Sequence, residues 1–410
     1  MELFLQFFSF CFPKAGSLVG SIPITVALLL LAFYVFLNFQ HVVHVVLVKK
    51  VLGCPYLILI LIFLISIFMN YGVGIFTMKM AEGVLYIISP LAVVVGWKSN
   101  KKEAIKCIYY SVFIVSLFAL IQFLWGIEKT KIPGLTIMLG DSYSNKTIGY
   151  GQSGVEAIKM PSTYQVGNAM GIFLIQMLPI VVWDTIEGHI SDLKKEFSGI
   201  TIFFGVIAVF LSGSRSAIVS TLIVVTPILY SLVKRMTKKQ FVLFTFLVIL
   251  AMFIFGEFDR ILKLGMIDRF YNRYIRETFF GTSGNAGTAG RTNQWSSFFY
   301  KIFDLSILEW IRFLFCGLNW NNPRNVEGIL YVMSYYGVIA FFVFSTLLIR
   351  PIKLGFSINK FWGYSFLSVF IVLCVDRTFC STPTLMNYFF MFGMAMQQSK
   401  EMRGKFNEST

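Results

Sequence analysis

Apolar residues run through this chain in long blocks separated by short polar connections. A helix that crosses a bilayer needs about 20 predominantly apolar residues. Blocks of that kind cover residues 20–40, 52–71, 80–97, 107–126, 167–183, 198–212, 217–233, 241–256, 327–349, 361–376 and 384–397, which predicts eleven spanning helices. Residues 2–19 form a marginal twelfth, interrupted by Pro13 and Lys14. The expected fold is an all-α polytopic transmembrane helix bundle of 11–12 spans, one integral membrane domain over residues 1–410. No fixed-period repeat and no second soluble domain is visible. Two connections, 127–166 and 257–325, are longer than a passive turn needs, and loops of that length are usually functional.

Composition agrees with the pattern. Mean hydropathy is +0.74, with 57% apolar and 13% charged residues, against about 25% charged in a soluble chain. A net charge of +15 would point to nucleic acid in a soluble protein. Here the cations collect in short loops instead. Lys49/Lys50, Lys98/Lys101/Lys102/Lys106, Lys194/Lys195, Lys234/Arg235/Lys238/Lys239, Arg350/Lys353/Lys360 and Lys400/Arg403/Lys405 fall in every second connection. By the excess of Lys and Arg in cytoplasmic loops, the C-terminus is cytoplasmic and both long connections lie outside. The N-terminus has neither a basic region nor a small-residue cleavage site, so no cleaved signal peptide is expected. The six cysteines show no metal-ligand or disulfide-framework spacing. His41 and His44 lie near Lys49 and Lys50 without a nearby carboxylate or thiol, which suits an interface better than a metal site.

The chemistry-bearing residues gather beside the outer connections. Arg215, in Leu-Ser-Gly-Ser-Arg-Ser-Ala, has small residues and donors around it, which suits a phosphate held by backbone N–H groups and a bidentate guanidinium. The same arginine at a helix end also suits snorkelling to lipid headgroups. Arg269, Arg273 and Arg276 stand at i, i+4 and i+7, one basic stripe on a helix. Phe270, Tyr271, Tyr274 and Ile275 between them suit contact with an anionic lipid surface, leaving one or two arginines for the site. Glycines at 281, 284, 287 and 290 make a hinge before Arg291, with no Gly-Lys-Ser/Thr ending for a nucleotide. Pro323-Arg324-Asn325 leads to Glu327, readable as a first-turn carboxylate on a helix capped by Asn325 or as a base at the mouth of the bundle. Tyr143, Tyr150 and Gln152 in the first connection suit sugar hydroxyls, as they suit any polar loop.

Taken in order, Met160-Pro-Ser-Thr to Gly167-Asn168, Ser212-Gly-Ser-Arg215-Ser-Ala, Gly290-Arg291 with Trp295, Phe315-Cys-Gly317 through Asn325, and Gly328 through Gly337-Val-Ile-Ala-Phe resemble the O-antigen polymerase and O-antigen ligase superfamily of bacterial inner-membrane proteins. The resemblance implies transfer of a glycan from undecaprenyl diphosphate to an acceptor hydroxyl at the periplasmic face, with no metal or other cofactor. It implies that Arg215 and Arg291 hold the diphosphate, helped by Arg273, Arg276, Arg324 and Asn325. The histidine and asparagine that ligases carry ahead of the glycine matching Gly337 are replaced by Val326 and Glu327, and no histidine follows His189. This favours the polymerase branch, with Glu327 as general base.

The expected partners are undecaprenyl-diphosphate-linked oligosaccharides, the lipid bilayer, a chain-length regulator and a flippase, and no nucleic acid. Two rivals remain: a ligase that moves the glycan to lipid A core or protein, and a transporter or flippase of lipid-linked sugars. A transporter would carry ionisable residues near the bilayer midplane, whereas Lys79, Glu82, Asp376 and Arg377 fall near span ends.

Overall fold

In the computed structural model, the described residues are 1–19, 22–48, 51–140, 159–223, 291–318, 320, 326–380 and 382–408, with a few isolated positions between 237 and 271. They are mostly helical. Among the described residues, four helices are long and apolar enough to cross a membrane: Phe76–Lys98, Lys101–Trp125, Gly167–Gly188 and Val338–Ile358. A fifth is reached by counting Val26–Leu37 and Phe39–Leu47 as one span bent by 91°. Gly53–Met69 and Lys360–Val375 are shorter apolar helices. By length and composition these helices are compatible with a multi-pass membrane protein. The blocks predicted at 217–233 and 241–256 lie largely or wholly outside the described residues.

The beginning of the chain departs from the hydropathy reading. Glu2–Cys11 is a ten-residue helix, about half of what a span requires. Gly16–Val19, at the end of the marginal 2–19 run, and Ile22–Thr25, in the 20–40 block read as a span, then pair antiparallel. The hairpin continues into the first long connection, because Leu18 N–H donates to Leu139 O at 2.9 Å and Leu139 N–H to Gly16 O at 3.0 Å. Hydropathy alone cannot tell a short β-branched strand from the end of a helix. At the next break, the Asn38 side-chain amide donates to Tyr34 O at 3.0 Å, ending one helix where the other turns away.

Small residues bring the core helices together. Cβ atoms built at Gly96 and Gly393 would lie 2.0 Å from Phe390 O and 2.1 Å from Val93 O, so two helices meet backbone to backbone. Serines tie neighbouring helices, as apolar surroundings favour: Ser365 Oγ donates to Gln176 O at 2.6 Å and Ser220 Oγ to Ser368 O at 2.8 Å.

The block at 327–349 is two helices. Leu330–Tyr336 ends at Gly337, whose φ of 99° breaks the helix before Val338–Ile358. Two short helices, Arg291–Phe303 and Ile307–Cys316, belong to the 257–325 connection. The second is seated against the break: Leu318 N–H donates to Ser334 O at 2.7 Å, and Ser66 Oγ reaches Cys316 O at 3.0 Å and Tyr335 O at 3.1 Å.

Candidate functional site

The polar residues of the bundle converge on a dipeptide the motifs did not single out, Asp376-Arg377. Asp376 follows the Lys360–Val375 helix with extended backbone, φ −131° and ψ 134°. Consecutive side chains on extended backbone point to opposite sides, so the two neighbours serve two different groups.

Asp376 is buried and has three hydrogen-bond partners among the described residues. Its Oδ1 accepts from Thr378 N–H at 3.1 Å, and its Oδ2 from Asn168 Nδ2 at 2.5 Å and Arg291 Nη2 at 3.3 Å. Asn168 is there because Gly167 packs against the serine turn: a Cβ at Gly167 would stand 2.1 Å from Ser212 O. That turn is itself built by its hydroxyls. Ser212 Oγ accepts from Ser214 N–H at 3.2 Å, and Ser214 Oγ caps the following helix by accepting from Ala217 N–H at 3.2 Å. Half-buried Arg215 opens that helix. The serines read as room and donors for a ligand thus shape the turn that presents Arg215.

Arg377 faces the other way. Its Nε lies 3.5 Å from Glu327 Oε1, and its N–H donates to Oε2 at 3.4 Å. Burial works against the Arg377 charge, but Glu327 and Cys380 beside it more than offset this, and its pKa lies above the ordinary guanidinium value. Its guanidinium carbon lies 5.7 Å from the centre of the Tyr331 ring. Glu327 is outside any helix: Leu330 opens the next one, and Gly328, at φ 74°, lets the chain pass where a Cβ would be 2.1 Å from Cys374 O. The reading of Glu327 as a first-turn residue is therefore corrected, since a left-handed glycine separates it from the helix. Arg291 and Trp295 lie one turn apart on the Arg291–Phe303 helix. Arg291 bonds Asp376, while Trp295 Nε1 donates to Glu327 O at 3.2 Å. The helix thereby joins the two halves of the site.

Beyond Tyr331 the network enters the bundle. Tyr331 Oη donates to Glu82 Oε2 at 2.6 Å, and Lys79 Nζ meets Glu82 Oε2 at 3.0 Å and the Tyr331 hydroxyl.

Compared with known proteins, the chain matches no family model and no curated sequence. Geometry and sequence motifs therefore carry the functional reading.

Of the residues singled out, Arg291 and Glu327 come together, and Arg215 stands on the turn packed beside Asn168. Arg273, Arg276, Arg324 and Asn325 lie outside the described residues. Asn168, Asp376 and Arg377 were missed as site residues; their signal was charge or amide at the edge of an apolar run. Among the described residues no three His, Cys, Asp or Glu side chains form a metal-holding group. A separate polar cleft lined by Tyr109, Asp184, His189, Ser191 and Lys195 lies around the other end of the Gly167–Trp183 helix. There Asp184 is held by Ile190 N–H at 2.7 Å and Ser191 Oγ at 2.5 Å, as a loop-closing group.

Proposed function

We propose that the protein is an O-antigen polymerase of the bacterial inner membrane, with eleven spans and a periplasmic site that joins undecaprenyl-diphosphate-linked repeat units. The observation that carries this reading is the convergence of Arg291 and Glu327 on Asp376-Arg377. One guanidinium for a leaving anion and one carboxylate for an entering hydroxyl are what metal-independent glycosyl transfer requires.

The acceptor sugar hydroxyl attacks the anomeric carbon of the donor glycan. The new C–O bond forms as the bond from that carbon to the diphosphate oxygen breaks, and the hydroxyl proton passes to Glu327. Undecaprenyl diphosphate leaves with the electron pair, its charge held by Arg291 and Arg215. A single displacement of this kind inverts the anomeric configuration. In this reading the bilayer holds both lipid tails, and a flippase and chain-length regulator act before and during extension.

Lipopolysaccharide from cells lacking the gene tests the assignment. A single repeat on the core with the ladder gone is the expected result. Bare core with polymer stranded on undecaprenyl diphosphate would instead assign the ligase reaction, and loss of periplasmic intermediates would assign transport.

Glu327→Gln keeps the side chain's shape and removes its basicity. Chain extension is expected to fall about a hundredfold or more at unchanged protein level, measured by ladder formation from lipid-linked repeats in isolated membranes. Unchanged turnover would move the base to a residue of the 127–166 connection.

A further inference from the structure

A lysine buried among membrane helices is costly and needs a reason. Lys79 Nζ is enclosed, with 3% of its side chain exposed. It bonds both Glu82 oxygens, at 3.2 and 3.0 Å, and the Tyr331 hydroxyl, and it lies 4.0 Å from the centre of the Tyr335 ring. Nothing is left of this cation for a ligand.

Its partner differs. The Glu82 side chain is 16% exposed. Among the described residues its Oε1 accepts only from Lys79, while Oε2 accepts from both Lys79 and Tyr331. A carboxylate oxygen offers about two lone-pair directions, so Oε1 keeps acceptor capacity on the open side of the pair. Lys79, bonded to both oxygens, and Tyr331, bonded to Oε2, hold the carboxylate in place. Next to it the Arg377 guanidinium, with 45% of its side chain exposed, lies over the Tyr331 ring and pairs with Glu327, 25% exposed. The order Glu82, Arg377, Glu327 presents acceptor, donor, acceptor.

On this side Glu82 and Glu327 already match the charges of Lys79 and Arg377, leaving no net positive charge for a diphosphate, so the anion belongs on the Arg291 side of the Asp376-Arg377 dipeptide. The remaining side suits a neutral ligand rich in hydroxyls, because hydroxyls donate strongly to ionised carboxylates and accept from a guanidinium. We propose that Glu82 and Arg377 form the subsite that binds the acceptor sugar's hydroxyls beside Glu327, with Lys79 and Tyr331 as positioning residues. This rests on the polymerase reading and assigns the two substrates to opposite sides of one dipeptide.

The test uses the full-length protein in nanodiscs and two probes. One is the neutral oligosaccharide released by mild acid from the cells' own lipid-linked intermediates, and the other is farnesyl diphosphate. Glu82→Gln is expected to weaken oligosaccharide binding about tenfold or more and leave farnesyl diphosphate binding at the wild-type level, which also shows that the variant is folded. Arg291→Ala is expected to do the reverse. Lys79→Met and Tyr331→Phe should follow Glu82→Gln, with Lys79→Arg recovering much of the loss; a merely structural role would move both probes together. Wild-type oligosaccharide binding by Glu82→Gln, or no oligosaccharide binding by a wild-type protein that binds farnesyl diphosphate, overturns the subsite and leaves the polymerase reading standing. A wild-type protein that binds neither probe overturns both.

Discussion

Arg291→Ala is expected to erase the polysaccharide ladder, slowing chain extension by about a hundredfold or more, while the protein still inserts, with a lower melting temperature because buried Asp376 loses its cation. A departing diphosphate concentrates negative charge at the moment the glycosidic bond breaks, and a cation fixed beforehand stabilises that charge without reorganising. Arg291 is fixed in that way. Its Nη2 rests 3.3 Å from buried Asp376, itself tied to Asn168 and Thr378, and 21% of the arginine side chain stays exposed for a second partner. Arg291→Lys keeps the charge and loses the planar fork, so it should recover only a minor part of the rate. Arg215→Ala is expected to behave like Arg291→Ala, since the serine turn that presents Arg215 is packed against the residue preceding Asn168. Extension is measured in isolated membranes, alongside protein level by immunoblot. Near-normal ladders from both alanine variants would remove the arginine grip from the mechanism.

Gly393→Leu is expected to prevent accumulation of folded protein. Gly96 and Gly393 face each other's helices, and a side-chain carbon at either would stand 2.0 or 2.1 Å from a carbonyl oxygen. The oxygens belong to helix backbones and cannot step aside, so a leucine must push Thr382–Glu408 away from the segment ending at Lys98. That separation strips packing from Val93, Phe390 and Met394, all buried, and costs about 3 kcal/mol. Gly393→Ala should also destabilise, although alanine is favoured over glycine in a helix interior by about 1 kcal/mol. A thermal melt in detergent reads both variants. An alanine variant more stable than the wild type would mean that the helices do not touch there.

These two tests rest on features of different visibility in the sequence. Arg291 was legible because Gly290-Arg291 and Trp295 form a recognisable motif, and the structure explains its spacing: one helical turn reaches Asp376 with the first residue and the backbone of Glu327 with the last. Glu327 was legible as a carboxylate before an apolar run, but its placement in a helix was not right, because Gly328 takes a backbone conformation that ends helical continuity. Asp376 and Arg377 looked like the polar end of a span. Neither motif nor spacing marks a residue whose partners come from remote parts of the chain.

Local composition is enough to place several of the helices. The predicted block 167–183 is the Gly167–Trp183 helix, and 52–71 and 361–376 closely match Gly53–Met69 and Lys360–Val375. An unbroken apolar run bounded by polar residues has one low-energy choice in a membrane, since every backbone group must find its partner within the segment. Long-range contacts set where Gly16–Val19 and Ile22–Thr25 paired, which way the chain turned at Asn38, and which remote side chains met. Contacts such as Arg291 with Asp376, and Tyr331 with the Glu82 carboxylate, depend on helices packed at van der Waals distance. Hydropathy records how greasy each segment is, and the meeting of two side chains depends on how those segments are arranged around one another.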